Sequence, residues 1–126
     1  MSAKYKHSKK REAILELIRS TDTHPTAQWV YGQLKPVIPD LSLATVYRNL
    51  NLFKKEGLAL SVGVVAGEER FDGNYAPHPH LVCEKCNRVI DLPTVIADGT
   101  NISVGDMTIW IDHKKTVYYG YCDLCV

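Results

Sequence analysis

Four cysteines and five histidine or aspartate side chains have the types and spacing for chemistry. The cysteines form two pairs, Cys83-x-x-Cys86 and Cys122-x-x-Cys125. Thiolates are soft anionic donors, and two such pairs supply the four sulfurs of a closed tetrahedral zinc site with no exchangeable position. That job is structural. Redox or disulfide chemistry is the second reading, but a thioredoxin-like pair opens a helix after a strand, and neither pair has that setting.

A separate set is His24, Asp72, His78, His80 and Asp91. His78 and His80 are two apart on an extended segment, so their side chains face the same way. Imidazoles mixed with carboxylates suit Fe(II), Mn(II) or Zn(II). Three neutral imidazoles and two carboxylates give a neutral site around a divalent ion. Singly, each residue also has a plainer reading: His24 as a turn residue before Pro25, Asp72 and Asp91 as strand-end carboxylates. The His78-x-His80 pair beside a CxxC carries the most weight.

The elements that must position these residues follow from periodicity. Residues 9–20 place Ile14, Leu17 and Ile18 on one helical stripe, with Ser8 as N-cap. His24-Pro25-Thr26 opens a second helix, capped by Thr26, lined inside by Val30 and Leu34 and stopped by Pro36. After a turn to Leu41, Ser42 begins a third helix, Leu43 to about Glu56. Val46, Leu50 and Phe53 face its core, Thr45, Tyr47, Arg48, Asn49, Lys54 and Lys55 face solvent, and Gly57 sits at the left-handed end. Leu58–Val65 and Glu69–Asp72 then form a hairpin about Ala66-Gly67-Glu68. Three helices and a hairpin make a winged helix-turn-helix.

Asn74 to Pro79 reads as a hinge. Beyond it, 80–82 and 88–92 are strands flanking the first CxxC, and Met107–Ile111 with Val117–Tyr121 read as a final hairpin delivering the second. Residues 93–105 are poorly periodic, and their helicity stays open. The expected architecture is α+β: a winged-helix DNA-binding domain at 1–73, a hinge at 74–79, and a small α/β dimerisation domain at 80–126 stapled by the four-cysteine zinc. A unit of about 50 residues buries too little to be secure alone, and the staple supplies the missing stability.

Composition agrees with this division. The net charge of +1 conceals ten Lys/Arg against five Asp/Glu in residues 1–60, and five against nine in 61–126. A basic first half suits a polyanion and an acidic second half suits cations. No run approaches 18 apolar residues, which excludes a membrane span. The start lacks the apolar run of a signal peptide, pointing to a reduced, cytoplasmic setting.

The third helix fits a major groove, whose base edges are read by a recognition helix's first turns. Here these offer Ser42, Ala44, Thr45, Tyr47 and Arg48, with Arg48 able to fork onto a guanine edge. Lys4, Lys6, Lys9, Lys10 and Arg11, with Lys54 and Lys55, suit phosphate contacts, which position without specifying. A solvated basic helix face is the plain alternative. Two other classes compete. A metal-dependent hydrolase needs an open coordination position and a spare general base, for which no candidate stands out. The other is a constitutive zinc-ribbon interaction module without DNA binding, which a gel shift with and without metal separates from a repressor.

Ser-Leu-Ala-Thr-Val-Tyr-Arg-Asn-Leu at 42–50, His24-Pro25-Thr26, Arg70-Phe71-Asp72 and His78-x-His80-x-x-Cys83-x-x-Cys86 together resemble the ferric uptake regulator superfamily, in order and over nearly the whole chain. The resemblance implies a homodimeric repressor of double-stranded operator DNA, neither an enzyme nor a binder of small-molecule substrates. It implies one structural Zn2+ on both CxxC pairs and one regulatory Fe2+ or Mn2+ between the domains of each subunit. All five regulatory positions match the peroxide-responsive branch. There, by analogy, Fe(II) and hydrogen peroxide oxidise His24 or His78 and destroy the site; iron or manganese response without peroxide sensing is the alternative. Iron-responsive members usually place Glu where Asp72 and Asp91 stand. Accessory-site ligands of relatives fall at Pro77 and Pro79, which offer no donor, and His113 is read as structural or exposed. Relatives usually carry an extra helix before 9–20, for which this chain is too short, so some DNA contact falls to residues 4–11.

Overall fold

The computed structural model describes residues 2–76, 78–93, 100–111 and 114–126, with side chains from residue 9 onward except those of 100–102. Three helices open the chain: α1 (Ser2–Ser20), α2 (Ala27–Leu34) and α3 (Leu43–Glu56). The expected start of α1 is corrected. Ser8 is no cap but lies inside a helix that begins at Ser2, because residues 2–8 contain neither Gly nor Pro to stop it. The side chains of Lys4 and Lys6 fall outside the described set.

The other two helices begin where capping chemistry permits. Thr26 is extended and its side chain accepts the Trp29 amide; Ser42 does the same for Thr45. Gly57, at φ 73°, ends α3 in the left-handed conformation, with its N–H donating back into the last turn. Ile14, Ile18, Val30, Leu41, Val46, Leu50 and Phe53 are buried together with Phe71. The Lys35 ammonium donates to the carbonyls of Pro39 (2.6 Å) and Leu41 (2.9 Å), fixing the turn between α2 and α3.

β1 (Leu60–Val65) and β2 (Glu68–Asp72) form an antiparallel hairpin around Ala66 and Gly67, both at positive φ. The hairpin is clamped to α1 at one point. A Cβ on Gly73 would stand 2.4 Å from the Ile18 carbonyl oxygen, so only glycine lets the strand end approach α1 so closely. On its other side the hairpin donates Val62 and Val65 to a small cluster with Val82, Val89 and Val117. That cluster joins it to the second half of the chain.

The second half holds a three-stranded sheet in the order β4 (Val89–Asp91), β3 (His80–Cys83), β7 (Val117–Gly120), and a ribbon of β5 (Thr100–Val104) with β6 (Met107–Ile111). This corrects the expected final hairpin. β6 pairs not with β7 but with β5, through a tight turn at Gly105 (φ 58°). β7 instead runs parallel to β3, with Cys83 opposite Gly120. A strand thus occupies part of the ambiguous stretch 93–105, while residues 94–99, Pro77 and His113 lie outside the described residues. Among the described residues no helix is long and apolar enough to cross a membrane.

Candidate metal centres

The parallel β3–β7 pairing explains how two distant CxxC pairs meet. Cys83 ends β3 and Cys122 follows β7, so both turns emerge at the same end of the sheet. In the first turn the Asn87 amide donates to the Cys83 carbonyl (2.9 Å) and the Cys83 amide to the Arg88 carbonyl (2.8 Å). In the second, the amides of Cys125 and Val126 converge on the Cys122 carbonyl. All four sulfurs lie within 4.8 Å of one another, and none is in a disulfide.

The Cys86 and Cys122 sulfurs stand 3.8 Å apart. A disulfide needs about 2.05 Å, whereas a tetrahedral ion with Zn–S bonds of about 2.3 Å sets its sulfurs about 3.8 Å apart. The donor set therefore fits zinc. The backbone amide of Cys122, followed by that of Cys86, holds the Cys83 thiol down to about 6, so a thiolate is prepared there. The neighbouring thiols of Cys122 and Cys83 push Cys125 up to about 12. Four sulfurs this close cannot all ionise without a cation between them.

The second cluster draws on more of the chain. His24 comes from the loop before α2, Asp72 from the end of β2, His78 from the segment after it, and His80 and Asp91 from β3 and β4. His80 and Asp91 are directly opposed in the antiparallel register, which puts them on one face. The ligand atoms of His24, Asp72, His80 and Asp91 lie within 4.8 Å of one another. His78 is outside that four-atom set, yet its Nε2 lies 2.8 Å from Asp72 Oδ2 and 2.6 Å from Asp91 Oδ1.

The geometry shows more than hydrogen bonding. Asp72 Oδ2 lies 3.2, 2.8 and 2.9 Å from the Nε2 atoms of His24, His78 and His80, and Asp91 Oδ1 lies 2.7, 2.6 and 3.2 Å from the same three. Each imidazole nitrogen has one proton or one lone pair, so six contacts over two oxygens exceed what hydrogen bonds can satisfy. Neighbouring donors around an ion at about 2.1 Å stand about 3.0 Å apart, which is this pattern. The residues fit a divalent cation.

Electrostatics point the same way. Burial would raise the Asp72 pKa, but bonds from His24, His80 and the Asn74 amide hold it far below the carboxylate range. Burial lowers the His24 pKa, but Asp72 and Asp91 outweigh it and raise it. At His78 burial is outweighed by the Ala76 carbonyl and Asp91, with the same result. In the neutral ring Nδ1–H donates to Ala76 (2.7 Å), leaving Nε2 as the unprotonated, metal-facing nitrogen. By contrast, His24 Nδ1 is buried with no hydrogen-bond partner among the described residues. The side chains of His24, Asp72, His78 and His80 are 3%, 8%, 7% and 5% exposed, while Asp91 is 41% exposed. Asp91 and His24 border a cleft of about 510 Å³ also lined by Asp22, Thr23 and Arg88, so the cluster opens to solvent on one side.

On α3, Ser42, Ala44, Tyr47 and Arg48 are exposed. Two expected solvent positions are corrected. Thr45 and Asn49 are each only 8% exposed, because the Thr45 hydroxyl joins the Ser42 cap (2.9 Å) and Asn49 donates to the Thr45 carbonyl (2.9 Å). Thr45 Oγ1 also accepts from Arg48 (3.2 Å) and so orients that guanidinium. Three of the expected phosphate contacts are also engaged internally: Lys10 with Asp40 (3.1 Å), Arg11 with Glu56 (2.8 Å) and Lys54 with Glu69 (2.8 Å). Lys9 and Lys55 are exposed.

The fold and the two donor sets define a two-site metal-binding protein whose helical half meets its sheet half at one of the sites. Comparison with known proteins makes the class specific. The profile of the ferric uptake regulator family matches residues 2–107, and the chain belongs to that family. It is 34% identical over 116 residues to the peroxide-responsive repressor PerR of Staphylococcus aureus, covering 91% of this chain and 78% of that protein. In fold it resembles the Campylobacter jejuni peroxide stress regulator, with a TM-score of 0.75, 23% identity, and 98% and 94% of the two chains covered. It also resembles the Helicobacter pylori ferric uptake regulator, a protein described as having three functional metal-binding sites, at a TM-score of 0.70 and 16% identity over 93% and 79% of the chains.

Proposed function

We propose that the chain is a metal-dependent transcriptional repressor that binds operator DNA as a homodimer and responds to peroxide. In this reading residues 1–73 bind DNA, 74–79 form the hinge, and 80–126 dimerise around the four-cysteine zinc in the cytoplasm. The observation that carries it is the convergence of all three Nε2 atoms on Asp72 Oδ2 and Asp91 Oδ1, with donors from both sides of residues 74–79. A divalent ion bound there supplies a cross-link between the two parts and, as Fe(II), the one-electron chemistry that consumes peroxide.

The chain's own residues do the rest. His24 reports the position of the helical part, and His80 and Asp91 report that of the sheet. Closure aligns α3, whose exposed Ser42, Ala44, Tyr47 and Arg48 face outward. An effector shifts such an equilibrium only by its preference for one state; about 100-fold preference corresponds to about 2.7 kcal/mol per subunit. The exposed Met107, Trp110, Tyr118 and Tyr119 supply apolar area suited to a second copy.

The test uses a DNA fragment selected from random sequence by the Mn(II)-loaded protein. Peroxide should abolish binding by the Fe(II) form alone, with a one-oxygen mass gain on His24 or His78. Unchanged binding by the Fe(II) form would remove peroxide sensing and leave an iron- or manganese-responsive repressor.

A further inference from the structure

Arg70 lies on β2, two residues before Asp72, and has no part in the mechanism so far. Among the described residues no carboxylate oxygen stands within ion-pair distance of its guanidinium, although the Glu68 charge acts on it; its N–H groups go to backbone carbonyls. Nε donates to His24, Nη2 to Thr23 (2.7 Å) and Nη1 to Asn87 (3.0 Å). Those carbonyls belong to two loops far apart in the sequence. One carries His24, the donor furthest in sequence from the rest. The other closes the Cys83–Cys86 turn.

His24 needs such support. Its φ of 54° is in the left-handed region, which disfavours a residue with a Cβ and is harder still before a proline. Its ring lacks the second anchor that Ala76 gives His78, since among the described residues Nδ1 has no hydrogen-bond partner. The aim of the His24 imidazole therefore depends on its backbone. That backbone is held by Arg70 on the His24 and Thr23 carbonyls and by the Phe71 amide on Pro25 (3.0 Å).

We propose that Arg70 is the positioning residue of the His/Asp site: it locks the His24 backbone to the Cys83–Cys86 turn and so presents His24 to Asp72 and Asp91. A planar fork with five donors can serve three carbonyls at once; an ammonium cannot reproduce that geometry. β3 carries His80 at one end and Cys83 at the other, and Arg70 fastens the His24 loop to the Cys83 side. The two metal centres are thereby braced on one frame.

This inference rests on the five-donor site holding a divalent ion, so the experiment carries a check on that reading. Arg70→Met, Arg70→Lys, His24→Ala and Lys54→Met are compared with wild type for zinc content, melting temperature, Mn(II) affinity and the visible absorption of Co(II) at the site. Lys54→Met breaks the pair that Lys54 of α3 makes with Glu69, Arg70's neighbour on β2, without touching His24. Arg70→Met should keep its zinc yet lose about tenfold or more in Mn(II) affinity, with a Co(II) spectrum shifted toward that of His24→Ala. Arg70→Lys should move both readouts the same way by less, and serves alone if the methionine variant does not fold. Lys54→Met should leave both unchanged. Wild-type affinity and spectrum in the folded Arg70 variants would overturn the proposal, as would an equal loss in Lys54→Met. If wild type and His24→Ala bind Mn(II) alike, the five-donor reading falls and this inference with it.

Discussion

The two donor clusters solve the same problem, holding a cation, in opposite ways. The sulfurs come from two turns at one end of a parallel strand pair, within a single sheet. The histidines and aspartates come from the α2 loop, the hairpin, the segment 74–79 itself and two strands beyond it. A cation among the sulfurs can only hold one unit together. In the proposed function one among the imidazoles would hold residues before and after 74–79 in a set relation, so its loss should change posture without dissolving either part. Chain separation of the donors, more than their identity, distinguishes a staple from a switch.

That contrast can be broken most severely at the sulfurs. Cys122→Ser should cost the protein its zinc and the folded sheet half, since structural zinc supplies about 10–16 kcal/mol in small folds. Zinc content and circular dichroism read this, and a folded, zinc-free protein would show that the sheet stands alone. Next in size is Gly73→Ala. The added Cβ would meet the Ile18 carbonyl oxygen at 2.4 Å and Arg19 Cα at 2.7 Å, both backbone, so α1 or Asp72 must shift. Denaturant unfolding should show a loss of about 1–3 kcal/mol, with weaker Mn(II) binding.

A smaller effect sharpens the comparison through pH. His24 and His78 have pKa values raised above 6.5, and an ion needs both Nε2 atoms unprotonated. Mn(II) affinity should therefore fall on acidification, beginning above 6.5, by up to about tenfold per pH unit for each imidazole protonated. Metal-free protein should respond in the opposite sense. Raised imidazole pKa values stabilise it below 6.5 and lose that contribution as pH rises through them. Calorimetric titrations and melts across pH 5.5–8 (roughly 1 unit below and 1.5 above the ordinary imidazole value) check both slopes. Smallest of all, Arg11→Met removes a half-exposed pair with Glu56 and should leave the unfolding midpoint almost unchanged.

Features with local rules were legible in the sequence. Thr26, Ser42 and Gly57 announce helix ends because capping is decided within four residues, and the turn at Ala66-Gly67 announces the hairpin. The CxxC spacing likewise declares its chemistry. Long-range choices were not legible. Nothing in the periodicity of Met107–Ile111 says whether it pairs backward with β5 or forward with β7, since either partner presents the same ladder. Thr45 and Asn49 look polar enough for solvent, and their burial depends on a hydrogen-bond network around Ser42. Arg70 carries no periodic signal because its partners are carbonyls, which every residue has.

The central claim is that one ion is gripped by donors from both sides of residues 74–79. Its most direct test is Mn(II) titration of zinc-loaded protein, comparing wild type with His24→Ala, Asp72→Ala, His78→Ala, His80→Ala and Asp91→Ala. The account predicts one site per subunit, weakened in all five variants while zinc stays bound. Undiminished affinity in His24→Ala, the variant that removes the donor furthest in sequence from the rest, would contradict it.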